Sequence, residues 1–337
     1  MAGYTEQRTL LDQGFFYGYE YMKALVALNQ KPRCDWFLKK GSFYHGFTSS
    51  KCFEMTPSAT SCSGIVASRF VLKRGATPCQ ALDSLNNAIT FIGCGEIIQV
   101  SEWQALREVL GDDKFNLLFA ADSRTPLIIH WDSNDNALVL CLTKNHPVSG
   151  EFHVGQAVHF ANIKLYGFKH VNGEAGGYNA LCIDATPRQE RFVTLGLDAT
   201  GMRQEQVRDV LYREFNAPPV GMSIVTPQLA ARIRAASVPE VLEFGDTLKN
   251  FCLTDDQMDA LSQGSFPASL VPSTRQMIKD ANCTFEQAKD FLLGCGSVRQ
   301  VSGLDMERIH ILATTTTETG RALLDKWYIE RRKQLGL

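Results

Sequence analysis

A chain of 337 residues has room for one large domain or two ordinary ones, and 45% hydrophobic with 21% charged residues is the balance of a globular protein with ample core. A net charge of −2 gives no electrostatic reason to expect nucleic acid or an anionic membrane as partner. No run of about 18 apolar residues occurs, so no transmembrane helix is expected. The start, Met1 to Arg8, lacks the charged-then-apolar form of a secretory signal. The expected location is the cytoplasm, or the outside of the cell by export without a classical signal peptide.

In chain order, residues 5–29 carry the broad apolar face of a helix, from Leu10 and Phe15 to Val26 and Leu28. Residues 31–64 read as irregular, and Ile65 to Leu72 as extended. Pro78 opens a short helix through Leu85. A longer helix follows Cys94, with Ile97, Ile98, Val100, Trp103, Leu106 and Leu110 at the 3.6 period and a stop at Gly111. A second short helix covers Phe115 to Ala120. From 127 to 198 the pattern turns to strands: Leu127 to Trp131, Ala137 to Leu142, Gln156 to Phe160, Tyr178 to Ile183 and Arg191 to Leu197. Beyond about 200 helices return, at Gln204 to Phe215, within 226–262, at Thr284 to Gly294 and at Arg321 to Arg332. Capping boxes at Thr254-Asp255-Asp256-Gln257 and Thr284-Phe285-Glu286-Gln287 mark two of the starts. Helices first and sheet later predict an α+β fold rather than a doubly wound parallel sheet. The predicted division is a catalytic domain over 1–236 and an all-helical C-terminal extension over 237–337, with Ser265 to Pro272 as the joint inside it.

The ten cysteines form no Cys-x-x-Cys pair and no Cys/His spacing of a zinc site. Most lie in apolar stretches, such as Leu140-Cys141-Leu142, and read as reduced structural thiols. Cys94 differs, because it stands where the long helix begins. Unpaired backbone N–H groups and the positive end of the helix dipole favour thiolate there, and thiolate is the nucleophile. Its bland alternative is a small buried core residue. No phosphate-binding Gly-x-x-x-x-Gly-Lys-Ser/Thr loop or strand-linked Gly-x-Gly-x-x-Gly occurs, so neither a nucleotide cofactor nor a metal is expected.

Read together, Phe91-Ile92-Gly93-Cys94, the helix, Gly111-Asp112-Asp113-Lys114-Phe115-Asn116, the strand segment Gly155 to Asn162 and the pair Gly173-Glu174 follow one order. Over about residues 70 to 225 that order resembles the bacterial protein-glutamine γ-glutamyltransferases (transglutaminases) of the spore-coat type. The resemblance implies a papain-like, NlpC/P60-like core, with the catalytic Cys at a helix N-terminus packed on an antiparallel sheet. It also implies Cys94 as nucleophile and Glu174 as its partner. The chain departs from the family's pattern at three places. Gly93 stands where Glu often precedes the Cys, glycines follow Glu174, and Thr194 lies near the place of a family histidine. The activity implied is acyl transfer on protein glutamine, ending in an isopeptide bond to lysine or in deamidation. The partner is then a protein presenting Gln and, for cross-linking, Lys.

Alternatives stay open from the residues themselves. His159, between Val158 and Phe160, suits a Cys–His pair of the thiol-hydrolase kind, and His170 has a similar but more remote claim. Thr194 is placed to hydrogen-bond the partner of the Cys. Trp103 and Trp131 read as core or as the border of a cleft. A non-catalytic scaffold of the same fold would instead bury Cys94 and bind a protein partner through the C-terminal helices. There Thr284 to Gly296 resembles the small three-helix modules that bind ubiquitin.

Overall fold

The computed structural model describes residues 47–57, 68–88, 90–130, 135–163, 166, 170, 175–194, 197, 200–218, 252–265 and 292–337. The expected helix over 5–29, all but the first residue of the joint at 265–272 and most of the expected helix after Thr284 lie outside them.

The order begins β1 (Phe47–Thr48), β2 (Phe53–Pro57), β3 (Ser68–Leu72), α1 (Pro78–Asn87), β4 (Thr90–Phe91), α2 (Cys94–Leu110), α3 (Asp112–Leu118) and β5 (Ile128–Ile129). A single π-helical turn (Leu138–Leu142) leads to β6 (Thr143–His146), β7 (Ala157–Ala161), β8 (Gly177–Asp184) and β9 (Arg191–Val193). The chain continues through α4 (Gln204–Asn216), α5 (Asp255–Ser262), β10 (Val298–Leu304), α6 (Met306–Thr314) and α7 (Thr317–Gln334).

Local chemistry sets the helix ends. Thr77 and Gln80 exchange both bonds of a capping box ahead of Pro78, and Thr254 with Gln257 does the same for α5. The helix α2 stops at Gly111, whose φ of +75° only glycine adopts without strain.

A five-stranded antiparallel sheet in the order β6-β10-β7-β8-β9 forms the middle layer. The period of two sends alternate residues to opposite faces. Ala157, Leu181, Val193 and Leu304 meet the core built on α1, α2, α3, α6, α7 and the π turn. Val158, Phe160, Ala180, Cys182, Phe192 and Val301 meet the second core, under α4 and α5. Helices therefore cover both faces of an antiparallel sheet, and a smaller sheet, β2-β3-β5, lies in the layer of α2.

Three expectations are corrected. Ala137 to Leu142 is not a strand: five consecutive apolar residues do not alternate, and such a run suits helix or strand. Asn136 decides for the helical turn by accepting from Leu138 N–H at 3.0 Å. The segment 53–57, expected to be irregular, is a strand paired with β3. The C-terminal region is not all-helical, because Val298–Leu304 is a strand between β6 and β7. Arg299, Gln300, Ser302 and Gly303 within it leave no alternation to read, and Val301 and Leu304 meet the cores on opposite faces. The same region also caps other elements. Arg308 donates to Cys141 O at 2.7 Å, Arg321 donates to Leu117 O, and Lys114 reaches back to Ala313 O and Thr315 O. The last forty residues are part of the core rather than appended to it.

Candidate active site

The helix α2 lies on β8 with Cys94 as its first residue. Gly93 supplies the extended residue before it, at φ −79° and ψ 177°. On β8, Asn179 shares a face with Leu181 and so points to the α2 side of the sheet. Its amide Nδ2 donates to Cys94 Sγ at 3.3 Å. His159 is directly opposite Asn179 in the β7–β8 ladder. Its Nδ1 lies 2.9 Å from Asn179 Oδ1. With Nδ2 committed to sulfur, Oδ1 is the acceptor and Nδ1 carries the hydrogen. The chain of contacts thus runs Cys94, Asn179, His159, with the amide between thiol and imidazole.

The His159 ring has room because residue 177 is glycine. A Cβ there would stand 2.6 Å from Phe160 O, 2.8 Å from His159 Cε1 and 2.9 Å from Nε2. On the same helix, the Glu96 carboxylate bends back over the helix start, toward residue 93. A Cβ at residue 93 would meet its Oε2 at 2.7 Å.

Burial pushes the Cys94 thiol above its ordinary range. Backbone and side-chain N–H groups of Asn179 and the backbone N–H of Cys94 itself pull the other way, and the Glu96 carboxylate adds to the rise. The expectation that the helix start would favour thiolate is therefore corrected: desolvation by burial outweighs the donors and acts against the charged sulfur. Nucleophilic attack from this position requires an acceptor for its proton.

The other predicted residues separate cleanly. Glu174 and Trp131 lie outside the described residues. Thr194 is buried just past the end of β9, and its hydroxyl hydrogen-bonds none of the site residues. His170 belongs to the second core, where it stacks on Tyr166 at 4.6 Å and its Nε2 lies 2.9 Å from Phe215 O. Trp103 is core: it donates to Ile128 O at 3.0 Å and packs edge-on against Phe119. Asn179, Gly177 and Glu96 escaped the sequence reading. Asn179 is a polar residue inside an apolar strand, a detectable oddity, but only the register shows that it faces His159.

Among the described residues no group of three or more His, Cys, Asp or Glu is arranged to hold a metal ion. No disulfide joins any two of the described cysteines. No described helix is long and apolar enough to cross a membrane.

No protein-family model matches this sequence, and no curated protein matches it. Among solved structures it is similar to a transglutaminase from Geobacillus stearothermophilus (without C-terminal extension). That match has a TM-score of 0.43 at 17% identity, over 62% of this chain and 86% of the other. A likeness at that score carries no argument about chemistry, so the site rests on its own geometry.

Proposed function

We propose that this protein is a cysteine-dependent acyltransferase that acts on glutamine side chains of proteins through a thioester on Cys94. The observation that carries the reading is the Asn179 amide donating to Cys94 Sγ at 3.3 Å while His159 holds its oxygen at 2.9 Å. A side-chain donor anchored from behind and aimed at a thiol at the start of a long helix is suited to acyl chemistry. The N–H groups that meet sulfur at rest are near the place where charge develops on a tetrahedral intermediate. The order of motifs from Cys94 to Glu174 supports glutamine as the acyl donor.

In the reaction, sulfur bonds to the carboxamide carbon, and the C–N bond breaks as the departing nitrogen takes the thiol's proton and leaves as ammonia. A lysine amine then displaces sulfur to give an isopeptide, or water displaces it to give glutamate. The thiol is restored in either case.

The test is ammonia release from a glutamine-rich protein, with and without an added primary amine, for wild type and Cys94→Ala. Release that depends on Cys94 and incorporates the amine supports acyl transfer, and release without incorporation assigns deamidation. No release across a broad panel, with Cys94 resistant to alkylation in the folded protein, sinks the reading in favour of a scaffold.

A second reading, a thiol peptidase or amidase with His159 as base, is favoured by the nearness of His159 to the thiol through Asn179. His159→Ala separates the two, since it abolishes activity if the imidazole is the base and leaves a reduced activity if it only supports Asn179.

A further inference from the structure

Glu174, the partner that the resemblance implies, lies outside the described residues, and within them the acyl-transfer reading has so far named no acceptor for the thiol's proton. Asn179 offers sulfur only N–H groups. His159 turns Nδ1 toward Asn179, while its Nε2 edge faces the backbone of Gly177. On α2 itself, Glu96 is the third residue of the helix, two positions past Cys94, and is 8% exposed. Its carboxylate folds back over the helix start, toward the residue that precedes Cys94. Among the described residues, the side chains that act on the thiol are Glu96 from its own helix and Asn179, braced by His159, from the sheet.

Gly93 adds an independent indication. Its φ of −79° and ψ of 177° are extended backbone that any residue adopts, so conformation does not require glycine there. Space does. A Cβ would lie 2.7 Å from Glu96 Oε2 and 3.8 Å from its carboxyl carbon. The residue before Cys94 is small in a place that the Glu96 carboxylate fills.

We propose that Glu96 is the proton partner of Cys94, taking the thiol's proton as sulfur attacks and returning it to the departing nitrogen. The inference rests on the acyl-transfer reading. The proton balance closes within the site. The S–H proton moves to a Glu96 oxygen, the S–C bond forms, the C–N bond breaks, and the Glu96 proton goes to the NH2 group to make ammonia. A carboxylate at the third position of a helix also has a structural use, bonding back to the helix start and complementing the dipole. Glutamine keeps the oxygen that such a bond needs and loses the charge and the basicity, so Glu96→Gln separates the two roles.

The experiment uses the full chain as wild type, Glu96→Gln, Gly93→Ala and the double variant. For each, the rate of Cys94 alkylation by iodoacetamide is followed against pH by peptide mass, and ammonia release is measured on the same samples. Glu96→Gln removes a negative charge beside the thiol, so the alkylation midpoint moves to lower pH. Ammonia release nonetheless falls about a hundredfold, within the range of a lost acid–base group. Gly93→Ala, which displaces the carboxylate without deleting it, moves both quantities in the same directions, and the double variant adds nothing to Glu96→Gln. A midpoint that stays in place in Glu96→Gln overturns the proposal, as does ammonia release within twofold or so of wild type. If Gly93→Ala folds poorly, Glu96→Gln decides by itself. Wild type that releases no ammonia at all refutes the acyl-transfer reading and with it the catalytic part of this proposal. The alkylation midpoint then still decides whether Glu96 is coupled to the thiol.

Discussion

Cys79 and Cys94 both sit in the first turn of a helix, Cys79 just after the opening proline of α1 and Cys94 opening α2. The helix dipole offers each the same help. What faces the sulfur differs. Cys79 Sγ points at the backbone carbonyl of Asp112 at 3.9 Å, its own N–H is taken by Asn116 Oδ1, and burial together with Asp112 and Asp83 pushes its thiol up to about 11 despite Arg107. Cys94 meets N–H donors instead. A carbonyl oxygen welcomes S–H and repels S⁻, whereas an amide N–H accommodates both. Burial raises both thiols, so a helix start does not by itself make a nucleophile; what differs between the two is the group across from the sulfur.

Deleting each sulfur in turn separates the two helix starts. Cys94→Ala is expected to lower ammonia release at least about a thousandfold, and Cys79→Ala to leave it near wild type while costing roughly 1 kcal/mol of stability. Equal losses in the two variants, measured beside urea unfolding, would show that the distinction between the helix starts is wrong.

Next in size is the donor. Asn179→Ala removes the side-chain N–H from sulfur, and losing one such donor costs about 10²–10³ in kcat. The thiol loses a group that pulls its pKa down, so the alkylation midpoint of Cys94 moves to higher pH, opposite to the shift expected for Glu96→Gln. A midpoint that falls or stays put in Asn179→Ala would mean that the amide contributes nothing to the thiolate.

The sequence was a good guide to one half of this site and a poor one to the other. Cys94 at a helix start follows from the spacing of Ile97, Ile98, Val100 and Leu106 and from the Gly111 stop, which are local signals. β7 and β8 were also legible within a residue or two, because Val158, Phe160, Ala180 and Cys182 alternate. Their register was not. The pairing of His159 with Asn179 is fixed across the sheet by two faces of packing that no short stretch of sequence contains. The same limit hid β10, whose partners β6 and β7 lie about 140 residues or more away in the chain. The net rise of the thiol pKa was equally out of reach, since helix position is a local property and burial is not.

A third group, on α2, shows what burial does to a carboxyl. Glu102 is 4% exposed, two turns beyond Cys94, and among the described residues none hydrogen-bonds its carboxyl. Burial alone raises it from 4.5 to about 8. The folded state therefore holds a proton that the unfolded state has lost. Stability is full below about pH 4.5, falls by roughly 1.4 kcal/mol per unit as pH rises, and levels off above about 8. Glu102→Gln should flatten that slope and make the protein more stable than wild type at about pH 8. Urea unfolding at several pH values checks it, and a slope that survives the substitution belongs to another group.

The smallest effect concerns what stands behind each facing group. Opposite Cys79 it is a main-chain carbonyl, fixed by the fold. Opposite Cys94 it is a side chain, which needs its own support, and His159 supplies it in the space left by Gly177. The added methyl of Gly177→Ala would press on the Phe160 carbonyl, which is held in the β7–β8 ladder, and on the imidazole that supports Asn179. The expected cost is about 1–3 kcal/mol of stability and a loss of activity of about tenfold or less as Asn179 loosens. Because His159 acts through Asn179, Gly177→Ala should cost no further activity in an Asn179→Ala background. A full second loss there, measured as ammonia release, would mean that the imidazole reaches the reaction by a route that bypasses the amide, as the peptidase reading requires.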